Sequence, residues 1–258
     1  MQELFEIMSR LRDPKNGCPW DLKQSFKSIV PYTLEEAYEV ADCIERQAYD
    51  DLPGELGDLL FQVVFYAQLG NEEGLFCFED IVEKLVRKLK ERHPHVFGDA
   101  PPGDLAEQNS RWEDQKAHER EVASEGQHSS ELDGVPISLP ALTRAAKLQK
   151  RAARVGFDWP DTLGVKEKIL EEFSEVISAI AKGSRSQIEQ EMGDLLFACV
   201  NWIRHFDLDP ETALRRANRK FERRFHFIET SLASADSSVH SASLARMDEL
   251  WEAAKLAE

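Results

Sequence analysis

The chain has 258 residues, 42% of them hydrophobic and 31% charged, enough for one large domain or two of ordinary size. Its 48 acidic against 32 basic residues leave a net charge of −16, which argues against nucleic acid or an anionic membrane as the main partner. Four scattered cysteines (Cys18, Cys43, Cys77, Cys199) without a C-x-x-C pair read as reduced thiols of a cytosolic protein.

The first segment, MQELFEIMSRLRD, is amphipathic and carries acids early, unlike a signal peptide. The apolar stretches are far short of the ~20 residues a membrane helix needs, so a cytoplasmic protein is expected. After GCPWD (Gly17 to Asp21), Leu34, Ala37, Tyr38 and Ala41 recur at helical spacing, as do Leu56, Leu59, Leu60, Val63, Val64 and Ala67. Pro53 and Gly54 suit the turn that enters the second of these helices. Period-two alternation is missing throughout, so an all-α fold is predicted.

The second half repeats the first. LEEAYEVADCI (Leu34 to Ile44) is answered 136 positions later by LEEFSEVISAI (Leu170 to Ile180), and ELGDLLF (Glu55 to Phe61) by EMGDLLF (Glu191 to Phe197) in the same register. Glu35, Glu36, Glu39, Glu55 and Asp58 thereby face Glu171, Glu172, Glu175, Glu191 and Asp194. Acid richness alone does not explain the register, because Gly57 and the Leu-Leu-Phe run match too. RKLKERHPH (Arg87 to His95) pairs with RKFERRFHF (Arg219 to Phe227), WEDQK (Trp112 to Lys116) with WEAAK (Trp251 to Lys255), and GCPWD with GFDWPD. The expected layout is two tandem helical-bundle modules, 1–120 and 139–258, joined by a polar, turn-rich linker over 121–138.

Glu172 and Glu175 are i, i+3 neighbours on one predicted helix, and Glu191 and Asp194 on the next. The pairs are centred about Gly183; the copy-one pairs are centred about Gln47. Folding back at those positions brings four carboxylates to one height, while the apolar stripes would bury between the helices. Four like charges at one level repel unless a cation intervenes, and oxygen-only ligation favours Mg²⁺, with Mn²⁺ as substitute. Helix bundles host carboxylate metal sites of this kind.

Basic and aromatic residues accompany the acids. Lys168 precedes Glu171 and Glu172 by one turn; Lys220 and Arg224 are i, i+4 and answer Lys88 and Arg92; Trp251 and Lys255 answer Trp112 and Lys116. Carboxylates, a divalent cation and these cations together suit a triphosphate, with a tryptophan able to stack on a base. Taken singly, the lysines also read as ion pairs and the tryptophans as packing surface. No P-loop, Rossmann glycine pattern or GxSxG elbow is present to suggest other chemistry.

E-E-x-x-E followed by E-x-x-D resembles the all-α nucleotide pyrophosphatases. LRDPKNGCPWD with Gln24, LEEAYE, GELGDLL, ERHPHVFGD and the W-E-x-x-K element together resemble the MazG family over nearly the whole chain. The resemblance implies a homodimeric helical enzyme that hydrolyses nucleoside or deoxynucleoside triphosphates to the monophosphate and pyrophosphate with Mg²⁺, clearing unwanted nucleotides. It implies Glu172, Glu175, Glu191 and Asp194 as metal ligands. Lys168, Glu171, Asp194, Lys220, Arg224, Trp251 and Lys255 would hold the nucleotide, with Glu171, Glu172 and Glu175 catalytic and Glu171 (Glu35 in copy one) the general base. Glu35, Glu36, Glu39, Glu55, Asp58, Lys88, Arg92, Trp112 and Lys116 would form a second site in the first module. Tyr32 stands where copy two has Lys168, so copy two is the expected catalytic module and copy one a weaker, differently selective or regulatory one. Two rival readings stay open: a non-catalytic helical metal-binding interaction or regulatory protein, and a narrower dUTP or phosphoribosyl-ATP pyrophosphatase.

Overall fold

The computed structural model describes residues 1–99, 101, 104, 107, 108, 111 and 130–258. Trp112, Lys116 and positions 121–129 of the expected linker lie outside the described residues. Among the described residues the regular elements are helices, with no strand. The chain divides into two compact units, Met1–His118 and Glu119–Glu258.

The first unit holds α1 (Gln2–Leu11), a 3₁₀ turn at Asp21–Lys23, α2 (Phe26–Arg46), α3 (Leu52–Glu72), α4 (Phe78–Arg92) and the single turn α5 (Pro94–Phe97). Ser25 starts α2 through a reciprocal cap: its hydroxyl accepts from the Ser28 amide, and the Ser28 hydroxyl accepts from the Ser25 amide. The helix ends at Gln47, whose φ of 59° is left-handed, and α3 begins with Pro53 in its first turn. α2 and α3 pack along each other, and α1 packs on α3. Their core is Met8, Ile29, Val64, Phe65 and Leu69, with Phe5, Phe26, Tyr66 and Phe78 against it. Gly70 lets the chain pass this core: a Cβ there would meet Phe76 at 2.7 Å.

A clamp closes the same end of α3. Arg12 Nε donates to both carboxylate oxygens of Glu72 at 2.8 and 3.0 Å, and its Nη2 reaches Oε2 at 2.6 Å. The guanidinium also donates to the Asp21 carbonyl and lies over the Phe65 ring, 5.4 Å from its centroid. The Arg12 side chain is only 8% exposed, so one planar cation organises the loop after α1, the core and the end of α3.

The second unit holds α6 (Ala141–Arg154), α7 (Thr162–Lys182), α8 (Arg185–Arg204), α9 (Pro210–Ala233) and α10 (Leu244–Leu256). Side chains of Asp161, Ser184, Asp209 and Ser243 cap α7, α8, α9 and α10, each cap worth about 1 kcal/mol. α7 ends at Gly183, with φ 75°, and folds back onto α8. α6 packs on α8, where Gln149 Nε2 donates to the Phe197 carbonyl at 2.8 Å. α9 pairs with α10 around Ile228, Leu232 and Leu250.

One expectation needs correction. The hairpin stripes are only partly buried between their own helices. Val176, Ala179, Ala198 and Val200 are buried, but Leu170, Phe173, Ile177, Ile180 and Leu196 are each half or more exposed. Leu34, Tyr38, Ile44, Leu56 and Leu60 are likewise exposed on the first hairpin. Two helices in contact cover only one strip of each, and these stripes are wider than that strip.

Candidate active site

Gly183 turns the chain so that the acids of α7 come level with those of α8. One carboxylate oxygen from each of Glu172, Glu175 and Glu191 lies within 4.8 Å of the others. Asp194, one turn beyond Glu191, is not part of this trio. Glu172 is 5% exposed. Its Oε1 accepts from Lys168 Nζ at 2.7 Å, while Oε2 is buried with no donor among the described residues. Lys168 also reaches Glu171 at 3.1 Å, so one ammonium offsets the charge of the buried acid and of its neighbour. The Glu172 hydrogen bond, and then that of Glu171, holds the Lys168 ammonium well above its ordinary range. Glu175 is pushed up, first by burial and then by the charges of Glu172 and Glu191. A buried oxygen without a donor, beside two more carboxylates, fits a hard divalent cation; the donor set contains no sulfur or imidazole.

The first hairpin repeats the trio with Glu36, Glu39 and Glu55, again within 4.8 Å. Asp58 is outside this trio, yet its charge acts on Glu36, which is pushed up by burial first and Asp58 next. Glu35 contributes to the same upward push. Tyr32, in the place of Lys168, lies edge-on to Trp20 with centroids 5.5 Å apart. Gln62, one turn beyond Asp58, is 6% exposed; its Nε2 approaches Glu36 Oε1 at 3.5 Å, and no donor among the described residues reaches its Oε1. Sequence reasoning passed over Gln62. The signal was there in the duplication, because its register partner is Ala198.

The remaining candidates gather on α9 and α10. Arg224 donates to Glu258 at 2.6 Å and lies 5.4 Å from the centroid of Trp251, which packs on Phe221. Lys220 adds to the positive charge that lowers Glu258, after Arg224 and Arg223. Lys255 pairs with Glu252. The ion-pair partners of Arg224 and Lys255 are therefore Glu258 and Glu252; α9 nevertheless touches α8 within the same unit. Lys88 and Arg92 lie on α4, which has no buried residue.

The profile of the MazG nucleotide pyrophosphohydrolase domain matches this chain twice, over residues 24–97 and 162–226. The chain belongs to the MazG family. Both matches span an acidic hairpin and the basic helix after it. A nucleoside triphosphate pyrophosphohydrolase of Escherichia coli (strain K12) is 51% identical over 100% of this chain and 98% of its own length. The nucleoside triphosphate pyrophosphohydrolase/pyrophosphatase MazG of Thermotoga maritima is 43% identical over 98% of this chain and 95% of its own. The uncharacterized protein YabN of Bacillus subtilis (strain 168) is also 43% identical over 98% of this chain, which corresponds to 51% of its own length. The MazG pattern thus extends across both units.

Proposed function

We propose that this chain is a nucleoside triphosphate pyrophosphohydrolase, releasing the monophosphate and pyrophosphate, and that it clears unwanted nucleotides in the cytoplasm. The observation that carries the reading is the carboxylate trio built twice, in register, on hairpins that lie within the two family matches. Glu172, Glu175 and Glu191, with Asp194 one turn on, would hold Mg²⁺ or Mn²⁺ in the second unit. Such an ion supplies charge neutralisation of the phosphates and activation of water when bound.

The chain's own residues have separate tasks. Lys168 leaves Glu172 for a phosphate oxygen, exchanging one charge-assisted hydrogen bond for another. Glu171, next to that ammonium, orients the attacking water and accepts its proton. Lys220, Arg224 and Lys255 bind phosphate oxygens, and the exposed part of Trp251 stacks on the base. The apolar stripes of the hairpins are proposed to meet their equivalents in a second copy, giving a homodimer.

The test is release of pyrophosphate from GTP in Mg²⁺, with wild-type protein and Glu172→Gln. Turnover should vanish in the variant while its helical circular dichroism persists, because Lys168 keeps Glu171 as its partner. Near wild-type turnover by Glu172→Gln overturns the site. Absence of turnover by the wild type on a panel of canonical and damaged nucleotides favours the non-catalytic reading. Turnover confined to dUTP or phosphoribosyl-ATP selects a narrower enzyme.

A further inference from the structure

Gln62 is a buried polar side chain beside Glu36, and among the described residues its amide oxygen has no donor. Its nitrogen has a partner, Glu36 Oε1, at 3.5 Å, the long limit of a hydrogen bond. Its Oε1 is buried with no donor among the described residues. An acceptor left in that state costs about 1–3 kcal/mol. Apolar packing would be better served by the alanine found at the equivalent position, Ala198, which is itself buried. The amide belongs to the same turn-by-turn ridge of α3 as Glu55 and Asp58, and it meets Glu36 of α2. The two trios thus differ in what accompanies them: an ammonium in the second unit, a neutral amide in the first.

We propose that Gln62, with its amide turned so that the oxygen takes the place of Nε2 toward Glu36, supplies a neutral oxygen to a hard divalent cation held by Glu36, Glu39 and Glu55. This rests on the carboxylate reading of the hairpins. Amide carbonyls are ordinary oxygen donors to such ions, and an amide adds a donor without adding repulsion to an already crowded set of charges. Because Tyr32 stands in the place of Lys168, and no lysine among the described residues pairs with the first trio, its cation loads without that competitor. Loading of the second trio requires displacement of Lys168 from Glu172, which a triphosphate assists by taking the ammonium. The first unit therefore binds the cation alone, and the second binds it well only together with nucleotide.

The test uses Mn²⁺ alone, titrated into the full chain without nucleotide and followed by the electron paramagnetic resonance of free Mn²⁺. Glu175→Gln is the parent, leaving the first trio intact. Gln62→Ala and Gln62→Met, the latter retaining volume without an oxygen, should each weaken Mn²⁺ binding about tenfold. Their melting temperature without Mn²⁺ should not fall, since an unpartnered acceptor has been removed. Unchanged Mn²⁺ affinity with a lowered melting temperature would make Gln62 a packing residue and overturn the proposal. Failure of the folded parent to bind Mn²⁺ at all would overturn the carboxylate reading as well, a result distinguishable from the loss of Gln62's role alone.

Discussion

At the scale of single residues, position 168 separates the two sites. Lys168 is seated 2.7 Å from Glu172, whereas Tyr32 offers only a phenol that packs against Trp20. A lost charge-assisted contact to phosphate is worth about 1.5–3 kcal/mol, roughly ten- to hundred-fold in rate. Triphosphate turnover should therefore survive Glu39→Gln largely intact and collapse in Glu175→Gln, as measured by pyrophosphate release. The reverse pattern would make the first unit the catalytic one, and equal halving would make the lysine incidental. Arg12 gives a second residue-level prediction, on stability. Hydrogen bonds from Arg12, outweighing burial, hold the Glu72 carboxyl below its ordinary 4.5. A depressed carboxylate contributes stability that is present above about pH 4.5 and is lost as pH falls through its lower folded value. Arg12→Lys retains the charge but loses the fork, and should cost about 2 kcal/mol at pH 7, discounted for the exposed side of Glu72. Urea unfolding should show that difference shrinking below pH 4.5; a pH-independent difference would assign the loss to packing on Phe65.

At the scale of elements, the two hairpins differ at their turns. Both end their first helix in a left-handed residue, Gly183 in one and Gln47 in the other. A non-glycine residue there costs about 1–2 kcal/mol, partly offset in Gln47 by the smaller freedom of its unfolded chain. Gln47→Gly should raise the melting temperature of the first unit by roughly 2–4 °C, and Gly183→Ala should lower that of the second, by calorimetry. A fall on Gln47→Gly would mean that the glutamine side chain contributes more than the strain. These turns were legible in the sequence, because the acid pairs are symmetric about residues 47 and 183 and Gly183 breaks the helix at the second of these midpoints. Helix type and the level at which the acids meet follow from spacing alone. Rotation of each side chain does not: Glu172, Glu175 and Glu191 converge while Asp194 stays outside, a distinction of side-chain direction within one helical face. The attachment of Arg224 to Glu258 and Trp251 was equally hidden, since pairing across α9 and α10 depends on how two helices cross.

For the whole molecule, the exposed stripes bear on the proposed homodimer. Leu170, Phe173, Ile177 and Ile180 repeat at helical spacing on α7, and Leu196 of α8 is exposed as well. Exposed apolar residues repeated along a helix would supply the association surface of that dimer. Sedimentation should find a dimer at micromolar concentration, and Phe173→Glu or Leu196→Glu should shift it toward monomer while far-ultraviolet circular dichroism remains helical. A well-folded wild-type monomer would sink that expectation. The helix α3 carries a different consequence. Its first turns bear Glu55 and Asp58, whereas its last turns bury Val64, Phe65, Ala67, Leu69 and Gly70 under the Arg12 clamp. The amides of a single rod should then exchange with deuterium at graded rates, the free energy of opening rising from the acidic end to the clamped one. Acid-bearing turns can fray and re-form while the far end stays protected. Exchange of the proposed ion at the first trio would thereby be uncoupled from unfolding, because the scaffold is anchored at the opposite end of the helix.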